Sequence, residues 1–229
     1  MGILDDVFWK ALSGPQAHFA SGTGVARRYA RGFSPILGFA DREHPDFAAL
    51  EPFCAAGERF YVDTWSGPAP DGWTIVVDKK MKRMVWTGVL PDEDPQLHTR
   101  PLGAAHAQQA VDLAVLTNPG PFGLRTIELG DYFGVFEGDR LVAMAGERLH
   151  AGPYREVSGV CTHPDFQGRG LARRLSEKIV RLQVQRGQLP FLHVISTNGT
   201  AHALYERMGF RDYKETVVRV IERTGGETP

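Results

Sequence analysis

The stretch from Arg155 to Leu182 restricts this 229-residue chain more than any other part of it. Arg155 to Thr162 reads as a strand, and regular alternation would place Glu156, Ser158, Val160 and Thr162 on one face. His163-Pro164-Asp165-Phe166-Gln167-Gly168-Arg169-Gly170 then leads into a helix. Its Leu171, Leu175, Ile179 and Leu182 share one stripe, while Arg173, Arg174, Glu177, Lys178 and Arg181 face outward. A helix start presents bare backbone N–H groups and a positive dipole end, and glycines let a phosphate approach them. Strand, glycine turn and basic helix start together suit a diphosphate, although Gly-x-Gly before a helix is also an ordinary tight turn. Two other phosphate loops are excluded. Arg173 stands where the dinucleotide fingerprint needs its third Gly or Ala, and no Gly-Lys-Ser/Thr follows for a triphosphate loop.

A second segment narrows the reading. Pro190 to Ile195 is a buried-type strand, and Asn198-Gly199-Thr200 opens a helix with Ala201, Leu204, Tyr205 and Met208 on one face and Gly209 as its stop. Gln167-Gly168-Arg169-Gly170-Leu171-Ala172 resembles the Gln/Arg-x-x-Gly-x-Gly/Ala motif of the GNAT superfamily of N-acetyltransferases. Asn198-x-x-Ala201-x-x-Leu204-Tyr205-x-x-x-Gly209-Phe210 is similar to that superfamily's second signature. The pair, in this order and separated by one helix and one strand, is far more specific than either alone. Ala172 stands where many members carry a second glycine. The resemblance covers residues 103 to 222, roughly half of the chain.

The resemblance implies an α/β (α+β) fold: a mixed, mostly antiparallel sheet with two splayed central parallel strands, flanked by helices. It implies acetyl-CoA as co-substrate, with the pyrophosphate on the backbone of Gln167, Gly168, Arg169, Gly170, Leu171 and Ala172 and with Arg173 beside it. The pantetheine arm would pair like an extra strand with Val160, Cys161 and Thr162, where a backbone N–H would polarise the thioester carbonyl. Asn198 would contact the arm or line the gap. An alkyl ammonium must lose a proton before it attacks, and Glu156 is the candidate base, directly or through water. Its spacing before Gly170 resembles that of the base in histone-type members. Tyr205 matches the family's acid for the departing thiolate. The expected reaction is direct attack by a primary amine, with no covalent enzyme intermediate.

Each residue also has a plainer reading. Glu156 could be half of an ion pair with Arg148 or Arg155, and Tyr205 could be core packing. Cys161 reads as a buried small thiol rather than a nucleophile, and His193 as a satisfied core histidine. The remaining histidines show no metal-ligand spacing, so no metal is expected.

The first hundred residues are less legible. Pro91, Pro95 and Pro101 mark a connection, dividing an N-terminal α/β lobe over residues 1–95 from a catalytic domain over 103–229. The lobe could be a degenerate GNAT-like unit, as in glycine-acyltransferase-like members, roofing the acceptor site. Asp5 to Leu12 reads as a short helix with Val7, Phe8 and Leu12 inward, Ser21 to Gly24 as a loop, and Asp46 to Cys54 as a helix. Arg59 to Trp65 reads as a strand. Trp73 to Val77 and Met84 to Thr87 read as two more, with Lys79, Lys80, Lys82 and Arg83 at a solvated hairpin end. Phe60, Trp65, Trp73 and Trp86 are candidates for packing or for the acceptor wall. In the second half, Ala104 to Leu116 reads as a helix with Ala107, Ala110, Val111, Ala114 and Val115 inward. Tyr132 to Phe136 and Leu141 to Met144 form a hairpin around Glu137-Gly138-Asp139-Arg140.

With Lys+Arg 26 against Asp+Glu 27, no basic field points to nucleic acid. Two cysteines, Cys54 and Cys161, cannot build a disulfide framework. The acidic Asp5-Asp6 start lacks signal-peptide character, and Glu227-Thr228-Pro229 is no lipidation box. The chain reads as a cytoplasmic enzyme for a small-molecule or peptide amine, without nucleic-acid or membrane partners, as a monomer or homodimer. Rival readings are a catalytically inactive acyl-CoA-binding sensor or scaffold and a mononucleotide-binding regulatory domain.

Overall fold

Hydrophobic residues on both faces of Leu141 to Ala145 require cover on each side of their sheet, and the fold supplies it. A computed structural model describes residues 2–224; Met1 and residues 225–229, with the C-terminal Glu227-Thr228-Pro229, lie outside the described residues. In chain order the elements are α1 (Val7–Leu12), β1 (Ala20–Gly22), β2 (Ala26–Tyr29), β3 (Leu37–Phe39), β4 (Arg59–Asp63), β5 (Trp73–Trp86) and β6 (Arg100–Pro101). There follow α2 (Ala107–Thr117), β7 (Tyr132–Glu137), β8 (Arg140–Ala151), β9 (Tyr154–Thr162), α3 (Leu171–Gln185), β10 (Leu189–Ile195), α4 (Gly199–Arg207) and β11 (Phe210–Arg223). None of the described helices is long and apolar enough to cross a membrane.

Eight strands form one mixed sheet in the order β4-β11-β5-β10-β9-β8-β7-β6, in which β9 and β10 run parallel and the other neighbours antiparallel. Met144 and Cys161 pack under α2, while Ala143, Ala145 and Val157 pack under α3 on the opposite face. A third cluster joins Val7, Phe8, Ala11 and Leu12 of α1 to Leu149 and Phe191. A small sheet, β1-β2-β3, stands apart and touches the large one through an Ile36–Tyr61 bridge.

The boundary expected at 95–103 therefore falls between β5 and β6, two strands of one sheet. The two strands expected at Trp73–Val77 and Met84–Thr87 are one continuous strand, and the basic run lies in its middle rather than at a hairpin end. Pairing explains this. β5 lies against β11 along its whole length, where Lys80 meets Glu215 and Lys82 meets Asp212 at 3.3 and 2.6 Å. Ser21 and Gly22 belong to β1 instead of a loop, and Ala48–Phe53 is a 3-10 helix, which suits the proline it contains at Pro52. On α2, Ala107, Ala110 and Ala114 face inward as expected, but Leu113 joins them and Val115, 78% exposed, does not. Phe60, Trp65 and Trp73 fill a core with Phe39 and Phe47, and Trp86 donates to the Met208 carbonyl at 2.9 Å; the tryptophans are packing.

Candidate active site

The parallel strands β9 and β10 pair only from Leu189/Tyr154 to Phe191/Glu156. Beyond that point Val157–Thr162 keeps β8 as partner and Leu192–Ile195 keeps β5, so a gap opens between them. The register of β9 on β8 slips between Gly146/Ser158 and Met144/Cys161, leaving Gly159 and Val160 opposite the single Ala145. Gly159 has φ +63°, and a Cβ there would stand 2.9 Å from the Tyr132 ring, so glycine makes this bulge. The bulge shifts the alternation expected of a regular strand. Val157 and Val160 pack on the α3 side, whereas Cys161 packs on the α2 side.

Two cavities meet at the gap, and Val160 lines both. The first, about 500 Å³, is walled by Cys161, Thr162, Gln167, Gly168, Gly170, Leu171, Ala172 and Arg173. Gly168 and Gly170 have φ of +77° and +70°, with open space where a Cβ would project. His163 donates its backbone N–H to Val142 on β8 at 2.8 Å, so by alternation the Thr162 N–H points the other way, toward the gap. The Thr162 hydroxyl is buried without a partner among the described residues. A phosphate-bearing, extended ligand fits this groove: open glycine backbone, a helix start and unused donors converge on it.

The positive charge at that turn is more local than the run of arginines suggests. Arg174 is paired with Asp94 at 2.6 Å, across the proline-rich connection, and Arg169 stacks over the Phe166 ring at 4.6 Å. Arg173 is the arginine that lines the groove.

The second cavity, about 340 Å³, lies on the other side of the gap. Glu156, Val160, Asn198 and Tyr205 reach it from the predicted set, with Ser158 beside them. Asn198 accepts the Ala201 N–H at 3.1 Å through Oδ1, capping α4. The Tyr205 hydroxyl has no hydrogen-bond partner among the described residues, and burial pushes the phenol up to about 12.

Glu156 sits at the vertex of the gap, fully buried. A second register slip, on β8, places Arg148 and Leu149 together opposite it. Arg148 donates to both carboxylate oxygens at 2.7 and 2.9 Å, His193 Nδ1 lies 2.7 Å from Oε1, and the Leu149 N–H reaches Oε2 at 3.3 Å. Arg83 Nε donates to His193 Nε2 at 2.9 Å, which puts the imidazole proton on Nδ1, facing Glu156. Arg83 also pairs with Asp63 and bonds the Leu4 carbonyl. Burial alone would raise the Glu156 carboxyl, but Arg148 and His193 hold it well below the usual carboxylate range. Burial likewise pushes His193 down, against the pull of Glu156.

A carboxylate offers about four lone-pair positions, and at Glu156 all are taken. Direct proton abstraction by Glu156, expected from its place on the strand, would have to displace one of these contacts. The ion-pair reading of Glu156 with Arg148 and the core reading of His193 are what the geometry contains; Arg155 pairs instead with Glu147 at 3.2 Å. Cys161 is buried on its strand, and burial pushes its thiol up to about 11.

Sequence reasoning missed most of the second cavity: Phe8, Tyr61, Val77, Met81, Val218 and Val220 line it, together with the Asn118–Pro121 loop. The β5 and β11 members carry a faint signal, since Val77/Met81 and Val218/Val220 repeat at period 2. Nothing local shows which face would be hollow.

Comparison with known proteins follows the same lines. The family described as FR47-like protein matches residues 132–220. The N-alpha-acetyltransferase RimI of Mycobacterium tuberculosis is 39% identical over 83 residues, which are 35% of this chain and 51% of that protein, so the match spans about half the length of this relative. A GCN5-related N-acetyltransferase from Kribbella flavida superimposes with a TM-score of 0.63 at 16% identity, over 100% of this chain and 98% of that one, and shares the fold. A crystal structure from Novosphingobium aromaticivorans, assigned to the GNAT family of acetyltransferases, superimposes with a TM-score of 0.90 at 31% identity, covering 98% of this chain and 100% of that one. On that likeness over its whole described length, together with the splayed strands and the glycine turn, the chain belongs to the GNAT superfamily of acetyltransferases.

Proposed function

We propose that this chain transfers the acetyl group of acetyl-CoA to the primary amine of a small molecule or peptide, by direct attack within a ternary complex. The observation that carries the proposal is the meeting of the two cavities at Val160, where the strands part. A thioester arm laid along Val160–Thr162 from the glycine turn would end there, and an amine held in the second cavity would face it. Gln167 to Arg173 would hold the diphosphate, Asn198 would steady the arm, and the Thr162 N–H would polarise the carbonyl. The amine lone pair forms the new C–N bond, the C–S bond breaks with its electrons to sulfur, and the Tyr205 hydroxyl donates a hydrogen bond to the thiolate. The amine loses one proton to solvent water, and the products are an amide and free coenzyme A.

Glu156 enters this scheme as a positioning residue, a buried anion that keeps Arg148 and His193 at the vertex. It stays ionised well below neutral pH, so it supplies no titration between pH 5 and 9. The acid limb of kcat/KM then belongs to the acceptor, which reacts as free amine. With two acceptors whose amines differ by more than one pKa unit, the limb should move by that difference. A limb fixed at one pH for both would assign the titration to the protein and return Glu156 or a neighbour to the role of base.

The decisive assay is thiol release from acetyl-CoA with an amine panel, run beside thermal shift. Stabilisation by acetyl-CoA with release at background for every amine would mean an inactive acyl-CoA-binding protein instead. The turn itself can be tested separately. Gly170→Ala forces a left-handed φ on alanine at about 1–2 kcal/mol and sets a methyl where the backbone lies open. The dissociation constant of acetyl-CoA should rise about tenfold, which is about 1.4 kcal/mol, while Tm falls by only about 2–8 °C. Unchanged affinity by calorimetry would remove this turn from the cofactor site.

A further inference from the structure

Four cations follow one another on β5, and three of them are neutralised. Lys80 pairs with Glu215, Lys82 with Asp212, and Arg83 with Asp63. Lys79 has no anionic or hydrogen-bonding partner among the described residues, and it is the lysine of the run that lines the second cavity. Strand alternation accounts for this placement. Val77, Lys79 and Met81 share the cavity face of β5, whereas Lys80 and Lys82 point to the other side. The pairing of β10 with β5 ends at Ile195/Met81, so Lys79 lies just past the end of β10, at the open end of the cavity.

The charge of the cavity follows from these contacts. Glu156 is balanced by Arg148, and His193 carries its proton only on the nitrogen facing Glu156. Lys79 is left as the uncompensated charge of a wall whose apolar side is built from Phe8, Tyr61, Val77, Met81, Val218 and Val220, with the uncharged Asn118, Ser158, Asn198 and Tyr205 beside it. A simple alkylammonium entering such a space meets a positive field and no free carboxylate. A zwitterion does not, because its own anion can sit on the lysine while its amine reaches the gap.

We infer that Lys79 is a specificity-determining residue that binds the carboxylate of the acceptor, and that the acceptor is an amino acid with an apolar side chain. The inference rests on the acetyltransferase reading above and narrows its substrate class. The apolar wall takes the side chain, Lys79 takes the carboxylate, and the amine faces Val160 and Tyr205.

The test uses the full-length protein with acetyl-CoA and leucine, methionine and phenylalanine, each beside its decarboxylated amine and its amide. The free amino acids should exceed their decarboxylated amines about tenfold in kcat/KM. In Lys79→Gln that preference should shrink below about threefold, through KM rather than kcat, and Lys79→Arg should restore most of it. Lys79 is exposed and unpaired, so the melting temperature of the variant should match that of the parent and exclude misfolding as the cause. Amines and amides turned over as well as the amino acids, or a preference that survives Lys79→Gln, would overturn the assignment and leave the acetyltransferase reading standing. No thiol release with any of these compounds would overturn the amino-acid assignment, and release at background across the wider amine panel as well, in a protein that acetyl-CoA still stabilises, would overturn both readings.

Discussion

Replacing Tyr205 by phenylalanine should lower kcat about 100-fold, at the lower end of what a positioned proton donor contributes, and change the affinity for acetyl-CoA less than about threefold. The reason lies in where the hydroxyl is and what it lacks. It reaches the second cavity from α4, one residue after Leu204 reaches the first, and it has no partner among the described residues. A group that bonds nothing in the folded protein can be removed without a stability cost of its own, so Tm should move by less than about 2 °C. With its phenol pushed up to about 12, Tyr205 stays protonated throughout the working range. In the proposed reaction it would therefore stabilise the departing sulfur by donating a hydrogen bond, and no basic limb from this residue should appear below pH 10. A kcat within threefold of the parent would make Tyr205 a packing residue beside Phe210, whose ring lies 5.9 Å away.

Removing the carboxylate of Glu156 should be felt first as instability. Glu156→Ala leaves the buried Arg148 guanidinium and the His193 Nδ1–H without their acceptor. Breaking one side of a buried pair costs about 3–5 kcal/mol, which for a chain of this size lowers Tm by roughly 6–20 °C. Pairing the change with Arg148→Met should recover much of the loss, because the uncompensated charge goes with it. Melting curves of the two single variants and the double variant check this, and a Glu156→Ala protein within about 2 °C of the parent would contradict it. The pH dependence has a definite sign. The Glu156 carboxyl lies lower in the folded than in the unfolded state, where it is about 4.3. Its contribution is therefore complete at neutral pH and is lost as pH falls below about 4, through the folded value. Glu156→Gln should flatten that acid limb of stability.

Much of the first cavity, where the proposal puts the cofactor, was legible because it is made of neighbours in sequence. Gln167 to Arg173 is one turn and one helix start, and seven residues with their glycines define it without reference to the rest of the chain. Of those residues, Arg169 stacks on Phe166 instead of lining the groove, and the outward Arg174 is tied to Asp94, contacts that periodicity cannot report. The second cavity was legible only along β9 and α4; the rest of its wall comes from α1, β4, β5, β8, β10, β11 and the loop after α2, which no motif spans. The single strand β5 was misread as two for a related reason: a row of lysines looks solvated until β11 supplies Glu215 and Asp212 opposite them.

Alone, the sequence determined the strand–turn–helix cradle, the helix opened by Asn198 with Tyr205 about two turns along it, and the α/β character of the second half. Those are set by spacings of two to eleven residues, which act within one element. Tertiary structure decided that both halves share one sheet, that Gly159 bulges and parts β9 from β10, and that Glu156 is clamped instead of free. It also decided that Lys79 alone of its run faces a cavity. These depend on segments distant in sequence meeting at one point, as Glu156 meets His193, 37 positions on, and Arg83 meets His193, 110 positions on. Such meetings are fixed by strand order and register, and a linear pattern of apolar and polar residues carries neither.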